Sequence, residues 1–122
     1  MSILLVDDFD EEREFLQTVL QKAGYGPVVT AESGRQALER LGIIGRQIAL
    51  YSPDVILMDM MMPDIDGLEA CRQIRSFERL EYTPIIMITA KTDQADLQAA
   101  YTAGATDFLR KPITPVELVA RV

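Results

Sequence analysis

A chain of 122 residues, 48% apolar and 25% charged, has the size and composition of one soluble globular domain. Its 19 acidic residues outnumber 12 basic ones, for a net charge of -7 without any basic run, which argues against direct nucleic-acid binding. With no histidine, it can form neither a His-Cys zinc site nor a Ser-His-Asp triad, and it holds no phosphohistidine of its own.

Ile3-Leu4-Leu5-Val6 is a short buried-strand run ending on Asp7-Asp8. It starts so near the N-terminus that a strand is expected there and not a leader, and no apolar run approaches the roughly 18 residues of a membrane span. Residues 10 to 23 carry Phe15, Leu16, Val19, Leu20 and Ala23 at helical spacing and stop before Gly24. Val28-Val29-Thr30-Ala31 is a weaker strand, and Ser33 with Gln36 forms a capping-box pair for the next helix. Ala37, Leu41, Ile44 and Ile48 recur at spacings of four, three and four, which predicts one long second helix from about Gly34 to about Leu50. Its end would overhang the domain and offer Ile43, Ile48 or Leu50 to a partner or a second copy. Gly42 and Gly45 favour the alternative, a helix ending at Gly42 and a packed loop.

Val55 to Asp59 is a strand. Met60 and Met62 read as packing, and Asp64 and Asp66 as turn and cap residues. Asp66 with Glu69 opens a helix with Leu68, Cys71 and Ile74 on one side. Cys71 is the single cysteine, expected in the core; it suits a reducing cytosol, and a cytoplasmic location is expected. Pro84 leads into the strand Ile85 to Thr89, and a helix follows from about Asp93 to Thr102, stopped by Gly104. Asp107-Phe108-Leu109-Arg110 is a short strand, and Thr114, Pro115 and Glu117 open a last helix.

Strands without clean alternation are buried on both faces, as in a parallel sheet covered by helices. Five βα units predict an α/β fold, a single doubly wound domain over residues 1–122. In such sheets the ligand site lies outside the carboxyl ends of the strands. Four strands end there in a polar group: Asp7-Asp8, Asp59, Thr89 and, just after the fifth, Lys111. Three carboxylates crowded together require a hard cation, a basic neighbour or raised pKa values. Oxygen ligands suit a divalent ion such as Mg²⁺ that keeps open positions for phosphate oxygens. An ammonium and a hydroxyl complete a phosphoryl-binding pocket, in which Asp59 can act as nucleophile.

ILLVDD (3–8), DVILMDMMMPDIDG (54–67), PIIMITAK (84–91), GATDF (104–108) and RKP (110–112) together resemble the receiver domain of two-component response regulators, over essentially the whole chain. The resemblance implies a flavodoxin-like five-stranded parallel sheet in the order 2-1-3-4-5 flanked by five helices. It implies a phosphorylation-controlled signalling switch, not an enzyme in its own right, with Asp59 as phosphoacceptor. Mg²⁺, with Mn²⁺ as a substitute, would be held by Asp8, Asp59 and the backbone carbonyl of Met61, with Asp7 assisting. Thr89 and Lys111 would hold phosphoryl oxygens, and the Lys111-Pro112 peptide would be cis. Thr89 and Phe108 would form the switch; Phe108 lacks a tyrosine hydroxyl and so switches by burial alone. Implied partners are a histidine kinase or histidine phosphotransfer protein as donor, and an output domain or effector on the fourth helix, fifth strand and fifth helix. A homodimer through such a face fits the same picture; no membrane partner is implied. The last helix reaches Val122 after about two turns, where the family usually continues it, so it is expected to be cut short there.

Two other classes fit poorly. A phosphatase of the haloacid-dehalogenase type needs a second acid two residues after its nucleophile, and Met61 stands there. A flavin site on this fold needs a Ser-, Thr- or Gly-rich loop after the first strand, and Asp7 to Glu12 would repel a phosphate without a metal. Met61 and Lys91, each two residues beyond a pocket residue, cannot take a proton from water at neutral pH, so a long-lived phosphorylated form is expected.

Overall fold

The computed structural model describes residues 1–45, 51–90 and 93–122. Strands and helices alternate: β1 (Ile3–Val6), α1 (Asp10–Lys22), β2 (Val28–Ala31), α2 (Gly34–Arg40), β3 (Val55–Asp59), α3 (Gly67–Arg75), β4 (Ile85–Thr89), α4 (Gln94–Ala103), β5 (Asp107–Arg110) and α5 (Pro115–Arg121). A 3-10 turn, Glu78–Leu80, precedes β4. The five strands pair in parallel in the order β2-β1-β3-β4-β5, as the sequence implies. The chain leaves β1 toward one edge and returns to β3 on the other side, which opens a crevice beyond the carboxyl ends of β1 and β3.

Alternation along each strand divides the core into two layers. Leu4, Val6, Ile56, Met58 and Met87 face Ala37, Leu38, Ala70, Cys71, Ile74 and Ala100 of α2, α3 and α4. Ile3, Leu5, Val55, Leu57, Ile86, Ile88 and Leu109 face Leu16 and Leu20 of α1 and Leu118 of α5. Both faces of the central strands are therefore dry, which explains their nearly unbroken apolar sequence. Met60 and Met62 are buried with the first layer.

Side-chain caps start α2, α3 and α5 as the sequence indicates. Ser33 Oγ accepts from the Gln36 amide at 3.0 Å, Asp66 Oδ1 from Glu69 at 2.8 Å, and Thr114 Oγ1 from Glu117 at 3.2 Å. Asp64 takes a turn conformation at φ 67 and pairs with Arg35 at 3.0 Å. Arg75, half-buried at the end of α3, donates to the carbonyls of Gly104, Leu80 and Thr83 and to Thr106 Oγ1. It thereby ties the entries of β4 and β5 together.

The long second helix is not formed. α2 ends at Arg40, and Gly42 adopts φ 74. The Ile43 amide donates to the Leu38 carbonyl at 2.9 Å and the Gly42 amide to Glu39 at 3.0 Å. This pair of bonds is a Schellman stop, and its left-handed residue favours glycine. Ile43 and Ile44 still pack against the core, from a loop. Arg79 fastens this end by donating to the carbonyls of Leu41 and Tyr51. Ile48 and Leu50, the far end of the expected stripe, lie outside the described residues.

Candidate functional site

Each site residue is fixed by sheet pairing that runs past its strand. The Asp7 amide donates to the Ala31 carbonyl at 3.1 Å, extending the β1–β2 ladder. The Met60 amide donates to Ile88 at 2.8 Å, so the backbone after Asp59 remains pinned to β4. The Lys111 amide donates to the Thr89 carbonyl at 2.9 Å, which ties the exit of β5 to the end of β4. The Lys111–Pro112 peptide is cis, as implied, and so is Gly26–Pro27, which was not foreseen. On the far side, the Gly67 amide donates to the Met60 carbonyl at 3.0 Å. A Cβ at Gly67 would lie 2.4 Å from the Asp59 carbonyl oxygen, so only glycine lets α3 come this close.

Within the crevice Asp7, Asp59 and Thr89 are almost fully buried. Asp59 Oδ1 accepts from the Met61 amide at 3.2 Å and from Lys111 Nζ at 3.3 Å. Lys111 Nζ also meets Glu12 Oε2 at 3.1 Å. Asp7 Oδ1 accepts from the Phe9 amide at 2.9 Å. Asp7 Oδ2 is buried and has no hydrogen-bond partner among the described residues. The carboxylates of Asp7, Glu12 and Asp59 each bring an oxygen within 4.8 Å of the others.

The electrostatics follow from this crowding. Burial, then the Glu12 carboxylate, pushes the Asp7 carboxyl up to about 8. Burial also raises Asp59, although Lys111 and the Met61 amide pull it down. Burial opposes the charge on Lys111, but Glu12 and Asp59 outweigh it and hold the ammonium above its ordinary value. Close carboxylates around an orphaned buried oxygen are the donor set a hard divalent cation takes, so these residues fit such an ion.

The crevice brings together Asp7, Asp59, Thr89 and Lys111. Asp8 is exposed and stands outside the carboxylate group. The side chain of Met61 is 55% exposed at the rim. Phe108 is half-buried on β5, its ring edge-on to Tyr101 of α4 with centroids 6.2 Å apart. Lys91 lies outside the described residues. Glu12 was missed: its sequence signal is only that it stands one helical turn beyond the strand-end acids. Arg13 was missed as well; it caps the Asp7 carbonyl at 2.9 Å. No described helix is long and apolar enough to cross a membrane.

The family model described as response regulator receiver domain matches residues 3–122. Among curated relatives, the transcriptional regulatory protein GltR of Pseudomonas aeruginosa is 43% identical over 123 residues, covering 99% of this chain and 47% of the relative. The chain spans about half the length of the curated relatives it matches. Among solved structures, the chemotaxis response regulator CheY4 of Vibrio cholerae superposes with a TM-score of 0.87 at 35% identity, covering 98% of this chain and 93% of that one. The receiver domain of the sensor histidine kinase PA1611 from Pseudomonas aeruginosa gives 0.84 at 35% identity, covering 98% and 92%. That structure carries a magnesium ion coordinated in its active-site cleft.

Proposed function

The chain belongs to the response regulator receiver domain family, and from that membership and the geometry of the crevice we propose that it is a switch set by phosphorylation of Asp59. The observation that carries this reading is the Asp59 carboxylate, buried at the end of β3 with the Lys111 ammonium 3.3 Å away and the orphaned Asp7 oxygen beside it.

These 122 residues hold no histidine, so the donor imidazole lies outside them, on a histidine kinase or a histidine phosphotransfer protein. An Asp59 carboxylate oxygen attacks the phosphorus in line. The P–O bond forms as the P–N bond breaks, and the bonding pair leaves with the imidazole nitrogen, which is reprotonated. Asp7 and Asp59, with Asp8 and the Met61 carbonyl by family resemblance, would hold Mg²⁺ or Mn²⁺. A bound divalent ion supplies positive charge against the phosphoryl oxygens. Lys111 holds a second phosphoryl oxygen and Thr89 a third, and the burial of Asp59 and Thr89 strengthens each contact.

The acyl phosphate adds up to about two negative charges. Thr89 moves onto it, and Phe108, already half-buried, turns further inward. The face made by α4, β5 and α5 changes shape and engages an output domain or effector, or a second copy. Reversing a 1:99 population takes about 5.5 kcal/mol. Two charge-assisted contacts at the upper end of the range of about 1.5–3 kcal/mol each, or about four at its lower end, supply that. Borohydride reduction of the phosphorylated protein tests the assignment, because it converts an aspartyl phosphate into homoserine. Peptide mass mapping should find homoserine at position 59; homoserine at another aspartate would overturn the assignment.

A further inference from the structure

The first turn of α1 carries Asp10, Glu11 and Glu12, all favourably placed against the positive end of the helix. That role suffices for Asp10 and Glu11, which are exposed. Glu12 differs. Its side chain is 21% exposed, and its Oε2 lies 3.1 Å from Lys111 Nζ, closer than Asp59 Oδ1 at 3.3 Å. The ammonium thus bridges α1 and β3 from the loop after β5.

If Asp59 were its sole anchor, the ammonium would be bound to the group that has to change during the reaction. A lysine has three donors on a flexible four-carbon stem. Glu12 supplies an anchor that takes no part in bond making. We propose that Glu12 is a positioning residue for phosphoryl transfer, holding the Lys111 ammonium over Asp59 so that it meets the incoming phosphoryl oxygen without a search. This rests on the reading of Asp59 as acceptor. Glu12 has a second, opposite effect: its own negative charge repels the phosphoryl group, and the bridging ammonium screens it. Removing Glu12 is therefore harmful while Lys111 is present and helpful once Lys111 is gone.

The test is a double-mutant cycle on the initial rate of labelling by sub-saturating acetyl phosphate. Mg²⁺ is titrated to saturation for each variant, so that altered cation affinity does not enter. In the Lys111 background, Glu12→Ala should slow labelling by about tenfold, the loss of one charge-assisted contact, and Glu12→Gln, which keeps an acceptor oxygen, should fall between. In the Lys111→Ala background, Glu12→Ala should speed labelling. A purely structural glutamate would give the same loss in both backgrounds, and that result, or no loss in the first, overturns the proposal. A parallel cycle on urea stability in EDTA should show Glu12–Lys111 coupling. Normal wild-type labelling with no coupling overturns the role of Glu12 alone; an unlabelled wild type overturns the reading of Asp59 and this proposal with it.

Discussion

Lys111 Nζ lies 3.3 Å from Asp59 Oδ1, though 52 residues separate the two in sequence. The lysine is the counter-charge of the proposed acceptor before any phosphoryl group arrives. Lys111→Ala should therefore slow acetyl phosphate labelling by at least about tenfold, by loss of a charge-assisted contact. It should leave Mg²⁺ affinity unchanged or tighter, because a positive charge leaves the pocket. Titration calorimetry separates the two effects, and a large loss of Mg²⁺ affinity with normal labelling would place the lysine elsewhere in the chemistry.

Stability should depend on pH with an unusual sign. An acid whose pKa is raised by folding binds more protons in the folded state than in the unfolded one. Its contribution is full below the ordinary value of 3.8 and is lost as the pH climbs toward about 8. Asp59 is shifted in the same direction. Without divalent ions the urea midpoint should fall between about pH 5 and about pH 8. Asp7→Asn should flatten that slope and raise the midpoint at the higher pH. Mg²⁺, proposed to bind the deprotonated carboxylates, should stabilise more at pH 8 than at pH 5. A wild-type midpoint that rises with pH in EDTA would contradict the account.

Gly67 sets how closely α3 approaches the end of β3. An added Cβ meets backbone at 2.4 Å and 2.8 Å, and backbone does not rotate away as a side-chain tip can. Gly67→Ala should cost about 1–3 kcal/mol in urea unfolding and slow the labelling of Asp59. Unchanged stability would mean that α3 moves freely against β3.

The phosphorylated form should be long-lived. Met61 stands exposed at the rim of the pocket, and its thioether cannot take a proton from an attacking water. Replacing the residues two places beyond Asp59 and Thr89 in sequence, Met61→Asn with Lys91→Glu, should speed dephosphorylation. Equal or slower decay in the double variant would count against this role.

The strand ends were the legible part of the site. Asp7, Asp59, Thr89 and Lys111 follow or close apolar runs, and parallel pairing in this strand order brings them together without further information. Glu12 could not be read this way, because its contact with Lys111 depends on the direction of a helix side chain across a loop. The second helix shows a different limit. Gly24 and Gly104 follow the last apolar residue of their helices and mark stops, whereas Gly42 falls inside an apolar stripe running to Ile48. Apolar spacing records what packs, and Ile43 and Ile44 pack just as well from a turn. The backbone bonds from Ile43 and Gly42 to Leu38 and Glu39 decide the matter locally. Gly42→Ala, forced to φ 74, should destabilise by about 1–2 kcal/mol. A gain in stability would restore the longer helix.

The most direct test of the switch is whether Asp59 takes phosphate in a cation-dependent way. The protein is incubated with acetyl phosphate and Mg²⁺, and the label is followed by intact mass. The account predicts one phosphoryl group on the wild type, none on Asp59→Asn, and none on the wild type in EDTA. Undiminished labelling of Asp59→Asn, or full labelling in EDTA, would contradict it.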